Sequence, residues 1–238
     1  MSPGRGVILR YGLPGGMAMK LRLTVHRVQF GTRNYRIIQP RPIPVHATLR
    51  DAHGCFHLRV DRTTAWQFAG LWELLARSPR SILYFPIRRN AMADDAVDWQ
   101  ANLAPLDLVL VHHSLQLRHS VWPQIRRHLG AGRAQTVNVS DEAIRIRAEQ
   151  DYPQLGYREN LDRFEHRVYA ETLFLTGSAA MFGSVVGEFS HVADHSCDHT
   201  ELPPLRYCAE FDLVDKPRWP VEVTELFIGH TENWSASQ

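Results

Sequence analysis

Three times along this chain, two short runs of strand-forming residues flank a few residues that favour a turn. This arrangement constrains the fold more than any other feature. Val45 to Arg50 and Cys55 to Val60 enclose Asp51, Ala52, His53 and Gly54. Thr136 to Val139 and Ala143 to Arg147 enclose Ser140, Asp141 and Glu142. Tyr207 to Val214 and Val221 to Ile228 enclose a proline-bounded turn at 216–220. Each pattern predicts a β-hairpin, and hairpin strands pair antiparallel. Lys20 to Phe30 alternates apolar and polar residues through Val25, as a half-buried strand does. The apolar runs Ile82 to Ile87, Leu106 to Val111 and Thr172 to Leu175 predict buried strands. Pro40, Pro42 and Pro44 make a stiff connector.

Helical spacing is strongest in two places. Thr63 to Arg77 has Thr63 or Thr64 as its cap, an apolar face of Trp66, Leu71, Trp72, Leu74 and Leu75, and Pro79 beyond its end. Ser178 to about His195 places Met181, Val185, Val186 and Phe189 on one face. Within it, Gly183 and Gly187 are spaced for close packing against a neighbour. Val121 to Leu129 predicts a short helix with Pro123 in its first turn, and the charged segment Arg158 to Tyr169 predicts another. Hairpins beside three or four helices indicate an α+β fold, a mainly antiparallel sheet with the helices packed on it. The strand–helix–strand order across 106–139 keeps an α/β fold with a mixed sheet as the alternative. No internal repeat is visible. Residues 1–16, broken by glycine and proline, are expected to be a flexible arm, with 17–238 forming one domain.

Composition narrows the function classes. A chain of 238 residues with 44% hydrophobic content buries enough surface to fold without disulfides. A formal charge of +2 does not suggest a nucleic-acid or membrane partner. All of the 27 basic residues except Lys20 and Lys216 are arginine, the side chain best suited to gripping carboxylate or phosphate. Acidic residues are spread among these arginines. The tightest basic group, Arg126, Arg127 and Arg133, contains no aromatic residue, a weak nucleic-acid footprint. Cys55, Cys197 and Cys208 are odd in number and form no C-x-x-C, which fits a reducing compartment and a cytoplasmic location. The longest uncharged stretch, Thr172 to Gly187, falls short of the roughly 20 apolar residues of a membrane span.

The most suggestive chemistry lies between 191 and 199. On a continuing helix, His191, His195 and His199 fall at successive i+4 positions, and Asp194 and Asp198 share that spacing, so they form a stripe. Imidazole with carboxylate suits a divalent transition metal, Zn, Fe or Mn, and two ligands from one turn leave room for a reactive water. Without a metal, the same groups serve general acid/base chemistry, with Glu188 or Glu201 as a further carboxylate. A second candidate follows the strand ending at Val111. There His112 and His113 precede Ser114, and alternation sends only one of the pair toward a pocket. His113 beside Ser114 is the pairing of a base with a nucleophile. Thr176, Gly177 and Ser178 open the later helix, where backbone N–H groups attract anions and Ser178 is a good cap.

The last hairpin carries Asp212 on one strand and Glu222 on the next, and in these two residues it resembles the Mg²⁺-holding pattern of PD-(D/E)xK nucleases. Thr224 stands where that pattern has lysine, and few residues follow it. The reading that best fits the residues is an enzyme for a small polar or anionic substrate, using His113, Glu188 and the 191–199 cluster. Its alternative is a non-enzymatic subunit or adaptor that contacts protein or RNA through arginine and tryptophan, as a homo-oligomer or with another partner.

Overall fold

The computed structural model of the chain describes residues 18–93, 102–150, 152, 162–194, 209–214, 223–231 and 234. Their strands form one twelve-stranded sheet. In chain order these are β1 (Ala18–Phe30), β2 (Arg33–Pro40), β3 (Ala47–Ala52), β4 (Cys55–Val60), β5 (Ser81–Phe85) and β6 (Ala104–Pro105). Then come β7 (Asp107–His112), β8 (Arg133–Ser140), β9 (Phe164–Tyr169), β10 (Thr172–Gly177), β11 (Ala209–Val214) and β12 (Val223–His230). The order across the sheet is β6-β3-β4-β12-β11-β9-β10-β7-β5-β2-β1-β8. Seven neighbouring pairs are antiparallel and four parallel. Four helices join it, α1 (Arg62–Ala76), α2 (Trp122–Arg127), α3 (Asp141–Glu149) and α4 (Ala179–Asp194), so the architecture is α+β. No described helix is long and apolar enough to cross a membrane.

Period-two alternation sorts the strand residues onto two faces. Leu83, Phe85, Leu108, Leu110, Leu173 and Leu175 join the core under α1, α3 and α4. Ile82, Tyr84, Val109, Val111 and Phe174 join a smaller core under α2, around Trp122 and Ile125. The helix layer is tight where α3 crosses α4. A Cβ at Gly187 would lie 3.2 Å from the Ala148 Cα, and one at Gly183 would lie 2.8 Å from the Tyr152 hydroxyl. The spacing of these glycines is therefore a packing device, as expected. Glu73, buried on α1, accepts from Arg147 Nε on α3 at 2.9 Å and pairs with Arg77 Nε at 2.7 Å.

Three sequence expectations give way here, the first being the cap of α1, which is Asp61 and not Thr63 or Thr64. Ala143 to Arg147 is helical, because the Ser140 side chain accepts the Ala143 N–H at 3.1 Å and Asp141 and Glu142 sit in the first turn of α3. That cap, with acids at the positive end of the helix dipole, outweighs the hairpin pattern. Within the charged segment 158–169, Phe164–Tyr169 is a strand, because its residues pair with β10. The third hairpin forms as β11 and β12. Residues 1–17, which include the expected flexible arm, lie outside the described residues.

A repeat invisible in the sequence appears in the backbone. Adding 117 to the residue number carries β3, β4 and α1 onto β9, β10 and α4 without an insertion. Both hairpins turn through two residues of positive φ, His53 (59°) and Gly54 (108°) in one, Ala170 (48°) and Glu171 (58°) in the other. Such turns match the twist of paired strands. The two units then exchange strands. Of the antiparallel pair β5 and β7 that follows α1, β7 pairs with β10, while of the pair β11 and β12 that follows α4, β12 pairs with β4. Only the hairpin geometry and the burial pattern recur, so side-chain identity conceals the likeness. Trp72 and Phe189, equivalent by this shift, touch each other across the helix pair at 5.4 Å.

Candidate functional site

The strand exchange creates two parallel pairs, β7 with β10 and β4 with β12, and crevices beyond the carboxyl ends of parallel strands are preferred places for ligand-binding loops. At the first pair, the last residues His112 and Gly177 are in register. His112 is half-buried and begins a single turn of 3-10 helix, His113–Leu115. Its Nδ1 lies 2.8 Å from Ser114 Oγ and also takes the Ser114 N–H at 3.3 Å. Two donors aimed at Nδ1 leave the neutral ring's proton on Nε2. Arg33 Nη1 holds the turn from outside by donating to the Leu115 and Gln116 carbonyls at 3.3 and 3.1 Å.

On the adjacent strand end, Ser178 accepts the Met181 N–H at 3.1 Å and so caps α4, while its hydroxyl donates to Asp162 Oδ2 at 2.5 Å. Gly177 is required there, since a Cβ would meet the Phe164 ring at 2.7 Å. Burial holds the His112 imidazole below its ordinary range, the neighbouring His113 adds to this, and the Asp162 carboxylate opposes it. His112 is thus a neutral base near pH 7, with a carboxylate at hand to balance the charge it acquires on protonation.

Of the residues expected from sequence, His113 is exposed and stacks edge-on against His112 at 4.8 Å. The imidazole bonded to Ser114 is that of His112. Glu188 is half-buried on α4, and burial pushes its carboxyl up. At about 1.5 Å of rise per residue it lies roughly 15 Å along the helix from Ser178, so it does not join His113 at one site. His191 and Asp194 are exposed in the last turn of α4, at the far end from Ser178. His195, Asp198 and His199 lie outside the described residues, as do Glu201 and Glu222. Among the described residues no group of three or more His, Cys, Asp or Glu side chains is placed to hold a metal ion. Asp212 is exposed and stands opposite Glu225 across β11 and β12.

The second parallel pair ends similarly, with Val60 and His230 in register. There Asp61, equivalent to Ser178, caps α1 by accepting the Thr64 N–H at 2.7 Å and bonds His46 Nδ1 at 2.8 Å. The His46 ring stacks on Trp234 at 5.2 Å. Sequence reading missed Asp162 and Asp61 because their partners lie 16 and 15 residues away, across hairpins.

No family model matches this chain, and no curated protein and no solved structure matches it either.

Burial lowers three imidazoles: His57, with Arg59 adding to the effect; His112; and His119, with Arg167 adding and Glu165 opposing. A histidine whose pKa is depressed in the folded state contributes stability above its unfolded value, near 6.5, and loses it as pH falls through the folded value. Urea midpoints should therefore fall steadily as pH drops from 7 to 5, and His57→Gln should flatten part of that slope. Equal midpoints at pH 7 and 5 would contradict the burial of these rings.

Proposed function

We propose that the chain is an enzyme acting on a small polar or anionic substrate, with His112 as its general base and Ser114 as its nucleophile. The observation that carries this reading is the 2.8 Å contact from His112 Nδ1 to Ser114 Oγ, beside the Asp162–Ser178 pair on the neighbouring strand end. In this reading Ser114 Oγ gives its proton to Nδ1 while forming a bond to an electrophilic carbonyl carbon. Asp162 balances the resulting imidazolium, which then protonates the leaving group as the old bond breaks. These are the roles of a nucleophile–base–carboxylate set, defined by geometry and not by sequence order.

An aryl fluorophosphonate probe tests it, because Oγ displaces fluoride only when a base removes its proton. Peptide mapping should find the adduct on Ser114. His112→Gln should slow labelling by tenfold or more, whereas His46→Gln should leave the rate unchanged. An unlabelled Ser114, or a His112→Gln rate equal to wild type, would sink the proposal. The course of α4 as far as Asp194 supports a rival reading, a Zn, Fe or Mn ion bound by His191 and Asp194 with His195, Asp198 and His199. Elemental analysis separates the two, since stoichiometric metal that disappears in His195→Ala would favour the rival.

A further inference from the structure

We infer that the edge strand β8 is the contact by which two copies of this chain join, extending one sheet across a two-fold axis. The two ends of the sheet differ. At one end β6 has only two residues, one of them Pro105, which offers no N–H to a further strand. At the other, β8 has eight residues, and no described strand pairs with its outer side. Its sequence from Ala134 to Ser140 contains no charge, proline or glycine, the devices that usually blunt such an edge. Beside it, on α3, Ile146 is 57% exposed, the highest value among the large apolar side chains described.

The strand is complementary to itself. Directly opposite residues of an antiparallel pair share a face, so keeping the helices of both copies on one side requires pairing odd with odd positions. Centring the pair on Val137 sets that residue against its own copy on the helix side, where it already packs on the core. The same register puts Thr136 opposite Asn138 and Ala134 opposite Ser140, so that Arg133 of one copy reaches the start of α3 of the other, where Asp141 is the first residue. Each end of the contact then brings Arg133 of one copy to the acidic first turn of α3 of the other, Asp141 and Glu142. A two-fold contact of this kind closes on itself and leaves no further edge to propagate.

Sedimentation equilibrium of the full chain should give a dimer. The informative variant is Thr136→Glu with Asn138→Glu. Within the chain's own sheet these positions face Arg22 and Lys20, so the new carboxylates favour the fold. Across the axis they face one another and repel. The double variant should be monomeric, with the dissociation constant raised at least about a hundredfold, a native circular-dichroism spectrum, and a thermal midpoint that no longer rises with protein concentration. Arg133→Asp alone should raise the constant about tenfold, and adding Asp141→Arg should restore it. A wild-type monomer at about 100 μM overturns the inference, whether residues 1–17 or nothing covers the edge. So does a dimer that survives both carboxylates.

Discussion

Replacing Asp107 by alanine should lower the unfolding free energy by about 3–5 kcal/mol, the usual cost of removing one partner from a buried ion cluster. Asp107 opens β7 and is only 2% exposed. Its carboxylate accepts from the Tyr84 hydroxyl at 2.9 Å, the Arg88 N–H at 3.0 Å and Arg126 Nη1 at 3.4 Å, with Arg88 Nε 3.6 Å away. Burial pushes this carboxyl up. The hydrogen bonds from Arg88 and Tyr84 and the two guanidinium charges pull it back, and in so closed a set of donors the ionised form is the one the geometry serves. Alanine would leave the buried Tyr84 hydroxyl without its acceptor and take from Arg88 and Arg126 the carboxylate they share.

The damage should extend further along the chain. The Asp107 N–H donates to the Glu171 carbonyl at 2.9 Å, and Glu171 pairs with Arg88. That residue and Ala170 hold left-handed backbone without being glycine, at a cost of roughly 1–2 kcal/mol each. Alanine keeps that N–H bond, so the substitution reaches the turn between β9 and β10 through Arg88, which loses one of its two carboxylate partners. A urea midpoint for Asp107→Ala corresponding to less than about 1 kcal/mol would show that solvent reaches the site and that the cluster is not buried.

What the sequence disclosed follows the range of the forces involved. Local patterns placed α1, α4 and the hairpins at 47–60 and 209–230, because caps, turns and face periodicity act over a few residues. The α+β class followed from them. The hairpin expected after Val139 failed on a local contest, in which the Ser140 cap and two following acids decided for a helix. The exchange of strands between units was not legible, since the partners of β7 and β10 stand 65 residues apart and those of β4 and β12 stand 170 apart. The site inherits that limit. His112 was visible as one of an alternating pair, yet Asp162 acquires meaning only when a hairpin folds it back onto Ser178. Asp107 had no mark in the sequence beyond being the one charged residue in the apolar run Leu106 to Val111.

Trp72→Ala should cost a similar amount, about 3–5 kcal/mol, for a different reason. Its side chain is fully buried at the centre of the helix pair. Four phenylalanines surround it, Phe189 of α4 at 5.4 Å, Phe182 of α4 at 5.6 Å, Phe164 of β9 at 5.8 Å and Phe211 of β11 at 5.9 Å. Phe182, Phe189 and Phe164 belong to the second hairpin–helix unit and Phe211 to the strand that follows it, so this one indole joins the two halves of the fold. Rigid elements on every side prevent collapse onto the space alanine would leave. Trp72→Phe should cost less than half as much, although it too removes ring volume. The indole Nε1 finds no hydrogen-bond partner among the described residues. A buried N–H in that state costs about 1–3 kcal/mol, which phenylalanine recovers against its lost contacts. Chemical unfolding of both variants checks the difference. Equal losses for alanine and phenylalanine would mean that Nε1 is satisfied after all, and a loss under about 1 kcal/mol for alanine would mean that the two units do not meet at this residue.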